Sequence, residues 1–566
     1  TKQLKFAFYI ALLSIFAAIT SVPTLVINFL PCMLYIFFSA FKKENRLFAL
    51  KFFSSLLSLL FIFNAWWFIP GVLSLSGNAQ IEDINRMWLI NWKTISASAS
   101  YFYALIAAGV PRAILGSVLS LALIVCTIIT VTLVFFFSKR TSENHRKISF
   151  FLLLLLFSLL FAVGDKGIWG DAQQFMMMKI SQLQMFRNPY KFAQITMLCY
   201  TVMTSLSLSY LINLTKKNNF KAIILAFYVF LLLFANKPIL SGNLEGFLEP
   251  VSIPNEYYDL NEYIKNNSTT EGILILPQEE WLSKYSWTTY DMPDFSRYLL
   301  ENPIIRDYPE NRLASLKSVY LMASTYDLIN NSLDTNLSQY LYLMNAKYIL
   351  AHKDVEKYTR DIVPYEKIQK SLSMQPDIKL VLSNQYFDLY ENTLSSQTIY
   401  ASNNIIIDDY SINPNLADNT KNISELLNKA DFFSKPVFSL ENTQANLRSI
   451  ETGSSLPDIT TEKISPVEYK VTIKNAAQPY VLAFLQSYNT KWQASINGNP
   501  VDNKNHFVAN NYANGWTIDK TGDYTIRIYY TPQLVFRRVA IADIFIIIIS
   551  IIYLIYIEKN GKAKKT

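Results

Sequence analysis

Cysteine is nearly absent. The 566-residue chain carries 3, Cys32, Cys126 and Cys199, and each lies in an apolar run. The polar part of the chain has none, which excludes a disulfide-stapled domain there. Histidine is as scarce: His145, His352 and His506 stand far apart, and no zinc-ligand spacing exists. Charge is missing from the middles of the long apolar runs, where an ion or proton path needs it, and this argues against a transporter. Asp543 is the nearest exception and sits toward one end of its run. Residue 1 is Thr rather than Met, so the expectation is that further sequence lies upstream of Thr1.

What is present is hydrophobicity in blocks. Half of the chain is hydrophobic, 51% by composition, in runs of bilayer-spanning length within residues 1–240 and again within 535–557. The expected spans are two short ones within 6–41 broken at Ser21-Val22-Pro23, then 50–69, 113–137, 148–163, 192–214, 222–234 and 539–557. The fold class read from this is a polytopic α-helical membrane domain of about eight spans with an α/β and β-sandwich extracytoplasmic domain. The domains are 1–240 (about seven helices), 241–395 (α/β), 396–534 (β-sandwich) and 535–566 (last helix and basic tail).

Lys and Arg flank the runs on alternate sides: Lys42-Lys43, Lys139-Arg140, Lys216-Lys217 and Lys562 to Lys565. By the positive-inside rule both termini are cytoplasmic and the large domain is extracytoplasmic, which implies a multi-pass protein of the plasma membrane. The formal charge of +8 is therefore an orientation signal and not a nucleic-acid footprint. Arg537-Arg538 fall on the outer side, against the rule.

In the polar part, Gly272 to Pro277 and Tyr348 to Ala351 read as buried strands, and residues 313–328 as a helix. Residues 413–425 read as a linker or the start of a helix. Alternation predicts strands at 469–473, 492–496 and 524–529, with Asn497-Gly498 as a hairpin turn.

The connection from Gly164 to Phe192 combines Asp165, Lys166, Asp171, Lys179, Arg187 and Lys191 with apolar residues. A segment of this kind can dip into the membrane interface, where Arg187 and Lys191 either bind a lipid-linked phosphate or serve as interfacial anchors. Asp171 and Asp165 are its candidate acids, beside Glu82 and Asp83 of an earlier connection. In the polar domain, Trp281, Trp287 and Asp291 place carboxylates among aromatics, as sugar sites do. Trp516, following Asn514-Gly515 at an expected turn, makes a second set with Asn514; core packing is the alternative for each.

Several segments carry a family resemblance. Asn64 to Pro70 (NAWWFIP) and Met185 to Phe192 (MFRNPYKF) resemble the late membrane region of GT-C glycosyltransferase-like proteins, in their arabinofuranosyltransferase-type and YfhO-like branches. Tyr342 to Leu350, Leu389 to Asn392, Tyr488 to Ala494 and Ala513 to Trp516 are similar to segments of their outer domains. The resemblance implies a polyprenyl-phosphate sugar donor, an envelope glycan acceptor and a lipid-bilayer setting. It implies a phosphate-holding role for Arg187 with Lys191, and a carboxylate base in the first outer loop. The first outer turn here, Thr20 to Pro23, has no acid, and the oligosaccharyltransferase motif WWDYG is absent. Two readings follow: the C-terminal portion of an inverting transferase, or a non-catalytic protein that binds or positions envelope glycan. No cofactor is identified, and since members of the resembled family vary in metal dependence, a divalent metal stays open.

Overall fold

The computed structural model describes residues 4–18, 22–40, 46–75, 125, 128–129, 131–132, 135–136, 143–164, 167–180, 183, 186, 189–235, 240, 251–267, 270–278, 283–288, 292, 294–306, 316–331, 336–356, 363–394, 397–408, 416–440, 447, 450–453 and 455–563. These divide into two compact units, an apolar helical one and a polar one built on Pro250–Leu534.

The helical unit contains α1 (Leu4–Ala18), α2 (Val22–Ala40), α3 (Arg46–Phe63), α4 (Ala65–Leu75, as far as Val72), α5 (Glu143–Ala162), α6 (Gly170–Lys179), α7 (Ala193–Leu214) and α8 (Asn218–Ala235). The C-terminal helix Thr531–Ala563 supplies its last element from Val535 onward. Among the described residues, 4 helices are long and apolar enough to cross a membrane, within Arg46–Phe63, His145–Ala162, Ala193–Leu214 and Thr531–Tyr556. Shorter apolar helices lie in α1, α2 and α8. Ile541, Ile544, Phe545, Ile549 and Ile552 are all exposed on the last of the long helices. Such a surface is at home only in lipid, and the chain is a membrane protein. The expected span at 113–137 lies mostly outside the described residues.

The third apolar run departs from expectation. It does not end at Pro70 but breaks at Asn64 and resumes as α4 through to Leu75. A break inside an apolar bundle strands main-chain groups that must find partners. Asn64 Nδ2 donates to Leu60 O and to Ser14 Oγ of α1, both at 2.8 Å, and Asn64 Oδ1 accepts from Trp67 Nε1 at 3.0 Å. The Trp66 N–H, in the first turn of α4, donates to Asp543 Oδ2 of the C-terminal helix at 2.8 Å. Two apolar clusters complete the unit: α1 and α3 enclose Ala7, Ala11, Leu56 and Phe63, while α2, α5 and α7 enclose Ile27, Leu154, Ile195 and Cys199.

In the polar unit, the α/β part runs α9 (Asn255–Asn267), β1 (Gly272–Leu276), β2 (Lys284–Tyr285), α10 (Ser296–Leu299), β3 (Ile304–Ile305), α11 (Leu316–Asn331), α12 (Leu337–Leu343), β4 (Ala346–His352), β5 (Val355–Glu356), α13 (Tyr365–Ser373), β6 (Ile378–Ser383) and β7 (Phe387–Asn392). Its sheet has the order β3-β1-β4-β7-β6, with β1 parallel to both neighbours and the β4, β7 and β6 pairs antiparallel. Strand β1 is buried throughout, as a strand covered on both faces must be. Ile273 and Ile275 face a core with α9, while Leu274 and Leu276 face one with α11, α12 and α13.

The sandwich part adds β8 (Ile399–Ser402), β9 (Ile405–Asp408), α14 (Leu416–Leu427), β10 (Val437–Leu440), β11 (Asp458–Ser465), β12 (Glu468–Ala476), β13 (Tyr480–Ser487), β14 (Trp492–Ile496), β15 (Asn499–Pro500), β16 (His506–Ala509), β17 (Ala513–Ile518) and β18 (Gly522–Tyr530). One sheet is β8-β13-β17-β16-β10-β9 and the other β11-β12-β18-β14-β15. Their inner faces meet in a core of Leu482, Phe484 and Trp516 against Val471, Ile473, Ile526 and Ile528. The expected Asn-Gly hairpin is present: Asn497 (φ 48°) and Gly498 (φ 90°) close β14 onto β15.

Residues 416–427 form helix α14, not a linker, and Ile423, Leu426 and Leu427 join the α11 and α12 core along with Phe438 of β10. The α/β and sandwich parts therefore share a core within one unit.

The expected turn at Asn514-Gly515 is absent. Both residues lie mid-strand in β17, paired with β13 on one side and β16 on the other. The turn falls earlier, at Asn510 and Asn511, both at positive φ. Glycine is required at 515 because the ring of Phe507 lies over it; a Cβ there would sit 2.7 Å from Phe507 Cζ. Gly515→Ala should destabilise the polar unit by about 1–3 kcal/mol, measured by urea unfolding with pulse proteolysis.

Candidate functional site

The connection between α5 and α7 is the first candidate. The two helices pack side by side, and Ser158 Oγ and Thr196 Oγ1 meet across them at 2.8 Å in a buried polar contact. The chain then forms α6 and returns through a 3-10 turn, Pro189–Phe192, that leads straight into α7. Proline suits the start of such a turn, since the N–H it lacks has no helical partner there. The ring of Phe192 stacks on Phe161 of α5 with centroids 5.1 Å apart, and Phe186 lies 5.7 Å from Phe192. These contacts anchor the turn that carries Lys191, which is half-buried.

Asp171 occupies the first turn of α6 and is exposed, where a negative charge favours the helix dipole. Trp169, Phe175, Met178 and Ile180 are also exposed on and beside this helix, and Lys179 Nζ lies 5.9 Å from the Phe175 ring centroid. Charged and large apolar side chains thus share one short exposed element. Asp165 and Arg187 fall outside the described residues, as do Glu82 and Asp83.

The polar unit gathers Trp287, a candidate from the sequence, with three partners the sequence did not point to, Tyr257, His352 and Asp354. His352 ends β4, and Asp354 follows it two residues on. The Tyr257 hydroxyl donates to Asp354 Oδ2 at 2.9 Å and lies 2.8 Å from His352 Nδ1, while Trp287 Nε1 donates to the same Oδ2 at 2.6 Å. Tyr285 stacks on Trp287 at 5.2 Å and 26°. Tyr257, Tyr285, His352 and Asp354 are buried. Burial favours a holding role: the carboxylate ties α9, β4 and the segment around β2 together, and it fixes the indole of Trp287, which stays half-buried. The signal in the sequence was the His-x-Asp pair after a buried strand, unreadable without its partners on α9 and at Trp287. Trp281 and Asp291 fall outside the described residues.

Beside it, Lys353 Nζ lies 2.5 Å from Asp388 Oδ1, and the Tyr365 hydroxyl donates to Asp388 Oδ2. Burial pushes the Asp388 carboxyl up, but the lysine and the hydrogen bonds from Ser383 and Tyr365 outweigh it and hold the group below its usual value.

Trp516 and Asn514 do not make a glycan contact. Trp516 is 1% exposed in the sandwich core, with its ring stacked on His506 at 4.6 Å and 8°, so no face is open to a sugar. Asn514 is fully buried: its amide donates to Gln486 O at 2.8 Å and Ser487 O at 3.4 Å, and its Oδ1 accepts from Asn489 N at 3.3 Å. It staples the irregularity in β13 between Phe484 and Ser487. His506 Nε2 donates to the same Oδ1 at 3.0 Å.

Among the described residues, no three of His, Cys, Asp and Glu converge as a metal-ligand set.

No protein-family model matches this chain, and no curated protein matches it. Solved structures do resemble it at a distance. The cryo-EM structure of the arabinofuranosyltransferase AftD from Mycobacteria has a TM-score of 0.45 and 11% identity, covering 85% of this chain and 42% of that one. Two classes of a mutant of that enzyme give TM-scores of 0.41 and 0.39 at 9% and 12% identity, each covering 85% of this chain and 44% and 43% of theirs. The chain spans less than half the length of these structures, and a likeness this distant assigns it no activity.

Burial lowers the His506 pKa to about 4 from the usual 6.5, against the opposing pull of the Asn514 contact. The unfolded chain binds a proton below about 6.5, whereas the fold binds one only below about 4. Stability is therefore full above that window and falls as pH drops through it, by at most ~1.4 kcal/mol per pH unit. His506→Gln should flatten this slope in urea unfolding measured between pH 7 and pH 4.

Proposed function

We propose that this chain is part of a GT-C-type membrane glycosyltransferase that uses a polyprenyl-phosphate-linked sugar to build cell-envelope glycan on the outer face of the plasma membrane. The observation that carries the reading is Lys191 in an aromatic-anchored turn at the head of α7, on the same connection that holds the short helix α6 with its exposed apolar side chains. A cation on an anchored turn at the head of an apolar helix, with large apolar side chains exposed on the same connection, suits a ligand with a lipid tail and a charged head. The resemblance of Met185 to Phe192 to the transferase segment supports the same role for Arg187. The solved structures named above are of an arabinofuranosyltransferase, which agrees with the reading without carrying it.

In this reading both termini are cytoplasmic, and the polar unit is extracytoplasmic and faces the acceptor. The acceptor hydroxyl attacks the anomeric carbon of the donor sugar from the face opposite the phosphate. The new glycosidic bond forms as the bond to the lipid phosphate breaks, and the configuration inverts. Arg187 and Lys191 neutralise the charge that develops on the leaving phosphate. Asp171 and Asp165 are the acids of the same connection that would take the proton from the hydroxyl.

The test is binding of a short-chain polyprenyl phosphate to the full chain in detergent micelles. Lys191→Ala and Arg187→Ala should each raise Kd by on the order of ten-fold. In proteoliposomes given a polyprenyl-phosphate sugar, each variant should cut transfer by about 10²-fold. Affinity and transfer unchanged in both variants would overturn the assignment.

A further inference from the structure

A cleft of about 520 Å³ opens in the polar unit between the edge of the α/β sheet and the sandwich. Its walls include Arg297, Glu301 and Arg306 from α10 and the segment around edge strand β3. Lys463 of β11, Tyr469 of β12 and Gln486 of β13 line the opposite side. Its size falls in the range of sites that enclose small ligands.

The lining is cationic and built. Arg297, Arg306 and Lys463 line the cleft with one carboxylate, Glu301, which is engaged by Lys265 at 3.2 Å; Arg306 is itself paired with buried Asp294. Buried Asp294 sets the geometry of one wall. Its Oδ1 accepts from Ser296 N at 2.9 Å at the start of α10, which carries Arg297, and its Oδ2 accepts from Arg306 Nη1 at 2.7 Å. Asp294 thus fixes Arg306 directly and the start of the helix that carries Arg297, whose exposed guanidinium lies over the Tyr298 ring at 5.0 Å. On the other wall, Gln486 sits in the β13 irregularity that Asn514 staples through the Gln486 carbonyl. Asn514, expected to touch glycan, instead shapes a wall of the cleft.

We infer that this cleft binds an anionic oligosaccharide of a few residues, its carboxylate or phosphate groups held by Arg297, Arg306 and Lys463 and its hydroxyls by amide groups such as that of Gln486. Guanidinium forks fit planar carboxylates and phosphates, and a surplus of cations lining a concave site favours anions over neutral ligands. The inference does not depend on the transferase reading, although an acidic acceptor would satisfy both.

The experiment is isothermal titration of the full chain in nanodiscs with trigalacturonate, with phosphorylated maltotriose, and with maltotriose as the uncharged trisaccharide. One or both charged ligands should bind more tightly than maltotriose, and which one binds identifies the anionic group. The double variant Arg297→Gln/Lys463→Gln should weaken that binding by about ten-fold or more while maltotriose is unaffected. Arg306 is left intact, because removing it would strand buried Asp294. Lys191→Ala should leave trisaccharide affinity unchanged, which separates this site from the proposed donor site. The inference is overturned if neither charged trisaccharide binds, if maltotriose binds as well, or if the double variant binds as tightly as the parent.

Discussion

The hydrogen bond from the Trp66 main chain to Asp543 joins residues 477 positions apart. The polar unit is inserted in sequence between α8 and the C-terminal helix, so that helix must find its place among helices made long before it. Apolar packing alone specifies this poorly, because in lipid one leucine face resembles another. A broken helix exposes main-chain donors that lipid cannot satisfy, and an acid on the last helix meets one of them. The break at Asn64 and the buried Asp543 are halves of one device, which also explains why a charged residue is tolerated in a run otherwise so apolar. The ring contact of Trp66 with Phe536 at 6.1 Å adds packing to the polar link.

The polar unit is organised by a similar economy. Buried carboxylates repeatedly hold two elements at once. Asp354 joins Tyr257 and Trp287, Asp388 joins Lys353 and Tyr365, and Asp294 joins the start of α10 to Arg306. Each charge out of water needs such company, since an unpaired one would cost several kcal/mol. Where the carboxylate is wholly enclosed, as with Asp354, the result is rigidity. Where its partner lines a concavity, as with Arg306, the same device presents a cation to whatever enters.

Strands and turns set by local pattern were legible in the sequence. The unbroken apolar run of β1 and the Asn-Gly turn after β14 need only their own residues to be read. Residues whose role depends on distant partners were not. Asn514-Gly515 has the composition of a turn, but Phe507 lying over position 515 and the carbonyls at 486 and 487 make it mid-strand. Trp516 beside Asn514 has the composition of a sugar platform, but His506, ten residues earlier in sequence, stacks on its ring. Residues 416–427 were ambiguous because the surface that their apolar side chains cover, on α11 and α12, lies about a hundred residues upstream. The cleft cations come from segments more than 150 residues apart, and no local motif joins Arg297 to Lys463.

Two chemistries thus occupy separate units: a cation beside an aromatic-anchored turn in the helical unit, and a basic cleft in the polar one. The central claim is that the connection between α5 and α7 receives a lipid-linked phosphate. Photocrosslinking with a diazirine-bearing polyprenyl phosphate, followed by peptide mass spectrometry of the full chain, tests it most directly. The account predicts labelling concentrated within residues 164–192 and competed away by unlabelled polyprenyl phosphate. Labelling spread evenly over the apolar helices, or unchanged by the competitor, would contradict it.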